Sequence, residues 1–118
     1  MGARRWDIFE PSEDQITDAV VEHWRTPGLG VPGSLVAGIP NKRAFGQPGL
    51  TKGLPDLLVL SPYLGDRTGY IELKTKRGRL SDDQLVMREL FLMRRAPYAV
   101  CYGRDEPIEQ LRAWGAIR

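Results

Sequence analysis

Tyr70-Ile71-Glu72-Leu73-Lys74-Thr75 alternates two kinds of side chain. In a strand this puts Ile71 and Leu73 on one face and Tyr70, Glu72 and Lys74 on the other. A carboxylate and an ammonium therefore point the same way, from a strand whose opposite face suits a core. Upstream, Leu57-Leu58-Val59-Leu60 is a short apolar run bounded by turn signals, the pattern of a buried central strand. Between the two, Ser61 to Gly69 contains Pro62, Gly65, Asp66 and Gly69 and suits a hairpin connection. Pro55-Asp56 stands where the first of these strands begins.

The other elements follow outward from this pair. Ser12 to Arg25 reads as a helix: Ser12 caps it, Gln15 completes a capping box, and Ile16, Val20 and Trp24 form one stripe. One turn back along that stripe lies Glu13, a carboxylate at the start of the inward-facing side. Thr26-Pro27-Gly28 ends the helix, and after a Gly- and Pro-rich loop Ser34 to Ile39 is apolar enough for a first strand. Asn41 to Gly53 is a polar loop of a length that is often functional, and its Lys42, Arg43 and Lys52 are candidates to face a phosphate backbone.

Beyond the alternating strand, Thr75 to Leu80 is a basic turn. Lys74, Lys76, Arg77 and Arg79 make it the densest positive stretch of the chain, the kind of local patch that tracks phosphates. Ser81 then opens a helix to about Arg95, with Asp82 and Asp83 in its first turn and Gln84 closing a second capping box. Its apolar residues spread over more than one stripe, which suggests one side on the sheet and another on a second copy of the chain. Tyr98 to Tyr102 has strand character, and a short helix from about Pro107 to Trp114 completes the order α-β-β-β-α-β-α. That order implies an α/β (α+β) fold, a mixed central sheet flanked by helices.

With 118 residues, 42% hydrophobic and 27% charged, the composition is that of one folded domain, 1–118, with its core over about 12–103. The single cysteine, Cys101, excludes an internal disulfide and a zinc cluster. No apolar run of signal-peptide or membrane-span type occurs, so the expectation is a protein that is neither secreted nor in a membrane, located in the cytoplasm or with nucleoid or viral DNA.

Asp56 and Glu72 fall into the pattern PD-x15-E-x-K with Lys74. Two carboxylates on neighbouring strands repel unless a cation lies between them. A hard divalent ion, Mg2+ or Mn2+, suits such oxygens, with the Leu73 carbonyl as a further ligand. Lys74, two residues beyond Glu72 on the same face, would stand beside the ion, where an ammonium orients a water or stabilises charge building on a phosphate. These groups together suit phosphodiester hydrolysis.

Four pieces occur in a fixed order: Ser12-Glu13-Asp14-Gln15, Gly53-Leu54-Pro55-Asp56, Ile71-Glu72-Leu73-Lys74, and Gly78-Arg79-Leu80-Ser81-Asp82-Asp83-Gln84. In them the chain from Ser12 to about Tyr102 resembles the virus-type replication-repair nuclease domain, a branch of the PD-(D/E)-x-K nuclease superfamily. The resemblance implies a restriction-endonuclease-like core. It implies that Glu13 helps position the metal or its water, that Asp56 and Glu72 bind the metal, that Lys74 is the catalytic lysine, and that Gln84 faces the site, whereas the residues alone read Gln84 as a helix cap. It implies DNA as substrate, branched forms such as four-way junctions in particular, cut by a homodimer. A restriction-type duplex endonuclease and a non-catalytic DNA-binding module of the same fold are the alternatives. His23, the scattered Trp6, Trp24 and Trp114, and Cys101 read as packing residues.

Overall fold

The computed structural model describes residues 10–40, 48–49 and 51–118; Lys42 and Arg43, most of the loop they belong to, and Trp6 lie outside the described residues. Four strands form one sheet in the order β1 (Leu35–Gly38), β2 (Leu57–Leu60), β3 (Gly69–Lys74), β4 (Tyr98–Tyr102). The first two pairings are antiparallel and β3–β4 is parallel. Parallel neighbours need a crossover, and α2 (Asp82–Met93) supplies it. With α1 (Glu13–Arg25) before the sheet and α3 (Asp105–Ala113) after it, the fold is mixed α/β in the order α-β-β-β-α-β-α.

Both long helices begin as their sequences dictate. Ser12 accepts from the Gln15 N–H at 3.2 Å while Gln15 Oε1 accepts from the Ser12 N–H at 2.9 Å. Ser81 and Gln84 repeat this at 3.2 and 2.8 Å. Each box satisfies two backbone donors that a helix start would otherwise leave open. The hairpin connection contains a 3-10 turn, Pro62–Leu64, capped by Ser61. α3 starts at Asp105, two residues before the expected Pro107, because proline fits the first turn of a helix and does not have to be its first residue.

Register divides the sheet into two faces. Val36 pairs with Val59, Leu57 with Ile71 and Leu73 with Cys101, so these six share one face, and all are buried. Ile16 and Val20 of α1 and Leu111 of α3 complete that core. Val21 also joins the core, and Trp24 packs at its edge, its indole N–H donating to Ser34 Oγ at 2.8 Å. Cys101 is an inert member of the core, its thiol pushed up to about 12 mainly by burial.

The other face is different. Tyr70 pairs with Tyr98, Glu72 with Val100 and Lys74 with Tyr102, and over it α2 lies without one fully buried residue. The helix is held chiefly by Phe91, whose ring stacks between Tyr70 (4.7 Å) and Tyr98 (5.2 Å). Val86 and Met93 stay more than two-thirds exposed.

The C-terminal residues belong to the core as well. Ala116 and Ile117 are buried, Gly30 and Ile117 form a bridge, and the Val31 N–H donates to the Ala116 carbonyl at 2.9 Å. Trp114 lies so close to Gly69 that a Cβ there would meet its ring at 2.7 Å. Ending the chain at Ala113 is therefore expected to lower stability by on the order of 3–5 kcal/mol, the scale of deleting one or two large core side chains. A urea unfolding midpoint checks it; an unchanged midpoint would show that the tail packs without contributing.

Candidate metal centre

The site forms where the sheet opens. The Asp56 N–H donates to the Ile71 carbonyl at 3.1 Å, continuing the β2–β3 ladder by one bond. The next residue toward the N-terminus is Pro55, which has no N–H and ends the pairing. The Leu73 N–H on β3 would then lack a partner, and Asp56 Oδ2 accepts it at 2.7 Å. This charge-assisted bond fixes the carboxylate in the fork. Strand geometry directs the carbonyl and N–H of one residue to the same side, so the Leu73 carbonyl also faces the fork.

The loop before Asp56 is held by Gly53, whose φ is +87° and whose absent Cβ would lie 2.5 Å from the Asp83 carbonyl oxygen. Only glycine accommodates both that conformation and that approach. The loop thereby rests on the first turn of α2, the turn that carries Gln84. Gln84 has both roles at once: its Oε1 accepts from Ser81, and its Nε2 donates to Glu72 Oε2 at 3.2 Å. From the other side, Glu13 Oε2 lies 3.7 Å from Lys74 Nζ.

One carboxylate oxygen from each of Glu13, Asp56 and Glu72 lies within 4.8 Å of the others. Asp56, Glu72 and Lys74 are at most 5% exposed. Glu72 Oε1 is buried and has no hydrogen-bond donor. An unsatisfied buried carboxylate oxygen is costly, and a proton or a cation can relieve that cost. Octahedral Mg2+ holds oxygens at about 2.1 Å, which puts opposed ligands about 4 Å apart, close to the spacing found here. The donor set, all oxygen, fits a hard divalent ion.

Without a cation the carboxyl of Glu72 is pushed up to about 9, first by burial, then by the hydrogen bond and negative charge of Asp56, with Lys74 acting in the opposite direction. The folded metal-free protein therefore keeps a proton that the unfolded chain loses near pH 4.5. Between these values the unfolded state binds fewer protons, so this contribution to stability falls as pH rises.

The sequence-derived residues do not all gather. Glu13, Asp56, Glu72, Lys74, Gln84 and the Leu73 carbonyl come together. Lys76, Arg77 and Arg79 are exposed on the turn after β3, and Lys52 is exposed on the loop before Asp56; all four are close to the site in the chain. Lys76 is tied down through its backbone N–H, which donates to Glu10 at 3.0 Å. The structural role of Asp56 and the close packing of Gly53 were not read from sequence. The placement of Gly53 immediately before Leu54-Pro55-Asp56 was the available signal. Arg88, four residues after Gln84, shares its helix face; that spacing was available too.

The VRR-NUC domain family model matches residues 12–105. A solved structure described as a VRR_NUC domain superposes with a TM-score of 0.58 at 22% identity, covering 86% of this chain and 94% of its own. No curated protein matches the chain.

Two measurements examine the centre. In EDTA, the unfolding free energy from denaturant titrations should fall between pH 5 and 9 more steeply for wild type than for Glu72→Gln, by up to about 1.4 kcal/mol per pH unit; Mn2+ should raise the wild-type curve most at high pH, where Glu72 gives up its proton to bind it. Parallel wild-type and variant curves would mean that Glu72 does not hold the proton. Ser81→Ala and Gln84→Ala should each lose about 1 kcal/mol through the cap. Only Gln84→Ala should also weaken Mn2+ affinity, by several-fold, as titration calorimetry would show; equal affinities would leave Gln84 as a cap alone.

Proposed function

This chain belongs to the VRR-NUC domain family, and on that premise we propose that it is a divalent-metal-dependent DNA endonuclease selective for branched substrates such as four-way junctions. The observation that carries the reading is the trio of half-buried Glu13 and buried Asp56 and Glu72, with one unpartnered carboxylate oxygen on Glu72 and with Lys74 beside it. Membership of the family implies nuclease activity. The ion, Mg2+ or Mn2+, the branched substrate and a homodimeric assembly are the finer part of the proposal.

In this reading Asp56, Glu72 and the Leu73 carbonyl hold the ion directly, and Glu13 holds it or a water of its shell. A bound divalent cation supplies a Lewis acid to the phosphate and an acidified water. Glu13 orients the Lys74 ammonium, and Lys74 orients the attacking water or stabilises charge on the phosphate oxygens. Gln84 keeps Glu72 turned toward the fork. Lys52, Lys76, Arg77 and Arg79, with Lys42 and Arg43, hold the backbone of the DNA on either side. Exposed Val86, Leu90 and Met93 on α2 support a second copy as the partner of that helix. Among the described residues no helix is long and apolar enough to cross a membrane.

Cleavage of a labelled four-way junction and a matched linear duplex, with Mg2+, Mn2+ or EDTA, tests the proposal. Wild type should cut the junction in either metal and not in EDTA. Asp56→Asn, chosen to keep an acceptor for the Leu73 N–H, should abolish cutting, and Lys74→Ala should slow it by roughly two to three orders of magnitude. Salt-sensitive DNA binding with no cutting of either substrate would replace the enzyme by a binding module. Equal cutting of both would remove the branch selectivity.

A further inference from the structure

We infer that the cavity next to the acidic cluster, floored by Tyr98, Val100 and Tyr102 and walled by Leu80, Arg88 and Leu92, seats one unstacked base of the DNA strand while Arg88 holds the phosphate attached to it. The inference rests on the nuclease reading and adds to it a contact that selects DNA in which a base can leave the stack.

The cavity is an extension of the catalytic face. Val100 pairs with Glu72 and Tyr102 with Lys74 across the parallel β3–β4 ladder, so its floor is one strand spacing, about 4.8 Å, from two residues of the centre. Its volume, about 340 Å³, is at the small end of ligand sites and is enough for one nucleotide. Tyr70, Phe91 and Tyr98 are stacked in a column, and Tyr98, its last ring, lines the cavity. A base set on Tyr98 would continue a stack whose rings are already fixed by packing, so little side-chain freedom is lost on binding.

Charge complementarity selects the occupant. Arg88 is exposed on the helix face of Gln84, and among the described residues no carboxylate pairs with it. A guanidinium at the rim of an aromatic and aliphatic slot matches a base joined to a phosphate. A continuous duplex keeps its bases stacked internally and cannot use the slot; bases at a branch point, where stacking is interrupted, can.

Fluorescence anisotropy in EDTA with a labelled junction, a single strand and a blunt duplex tests this, alongside cleavage of the junction by the same proteins in Mn2+. Arg88→Ala should weaken junction and single-strand binding about tenfold and lower the salt slope by about one phosphate contact. Tyr98→Leu should weaken the same two DNAs about tenfold and Tyr98→Phe hardly at all, with the duplex little changed. Arg25→Ala, at the far end of α1, is the charge control, and melting curves confirm that each variant is folded. Arg88→Ala equal to Arg25→Ala in affinity and slope would overturn the subsite even if wild type cuts the junction. A wild type that binds through Arg88 yet never cuts would keep the subsite and discard the nuclease. No DNA binding by wild type would end both.

Discussion

The hydrogen bond from the Leu73 N–H to the Asp56 carboxylate is the constraint on which the site depends. A sheet that parts between two strands leaves ladder groups without partners, and buried backbone donors without partners are expensive. Here Pro55 starts the parting and the side chain of the next residue closes it. The group that satisfies the ladder is itself an anion, so it brings a negative charge into a buried fork that already contains Glu72. Structural need and chemical use are met by one carboxylate. The cost appears at Glu72, whose carboxyl cannot easily ionise beside Asp56 and out of water, and whose Oε1 has no donor. A divalent cation held by both carboxylates would relieve both conditions together.

The two faces of the sheet share the work unequally. The face of Leu57, Val59, Ile71 and Leu73 is sealed by α1, α3 and the C-terminal residues, and it supplies most of the buried apolar surface. The opposite face is covered thinly, by a helix anchored at its N-terminus by a capping box and in its last turns by a single phenylalanine. A polymeric substrate cannot enter a closed cavity, so a helix over this face has to stay shallow. The orientation of α2 comes instead from local devices: the Ser81–Gln84 box, the Gly53 loop against its first turn, and the Phe91 stack.

Much of this arrangement could be read from the chain because local rules and global packing agree. Both Ser-x-x-Gln boxes mark true helix starts, and the alternation from Tyr70 to Lys74 gives the correct faces because one of them is fully buried. The trio of carboxylates was legible from Glu13 on its helical stripe and from the Asp56 and Glu72 spacing. What could not be read depends on contacts between distant segments. Ala116 and Ile117 look like an ordinary C-terminal tail in sequence, and only the three-dimensional approach of Trp114 to Gly69 and of Ile117 to Gly30 makes them part of the core. The donor from Leu73 to Asp56 was equally invisible, since it arises from where a ladder stops. Gln84 was read as either a cap or a site residue, whereas its amide has two ends and does both.

The charge distribution brings these elements together. The chain as a whole carries a net charge of only +2, too small to draw DNA by itself. Three of its fifteen acidic residues, Glu13, Asp56 and Glu72, gather at one largely buried point that would repel a phosphate. Its positive charges at Lys52, Lys76, Arg77, Arg79 and Arg88 are exposed on the segments that surround that point in the chain. Salt screens exposed charges within about 10 Å, so a DNA strand approaching this surface meets the rim before the centre. Attraction would then be sequence-independent and salt-sensitive, supplied by the rim, while a divalent cation would offset most of the negative charge of the centre. Binding and chemistry would fall to different residues, and this separation would let a chain of 118 residues keep an acidic centre and still approach a polyanion.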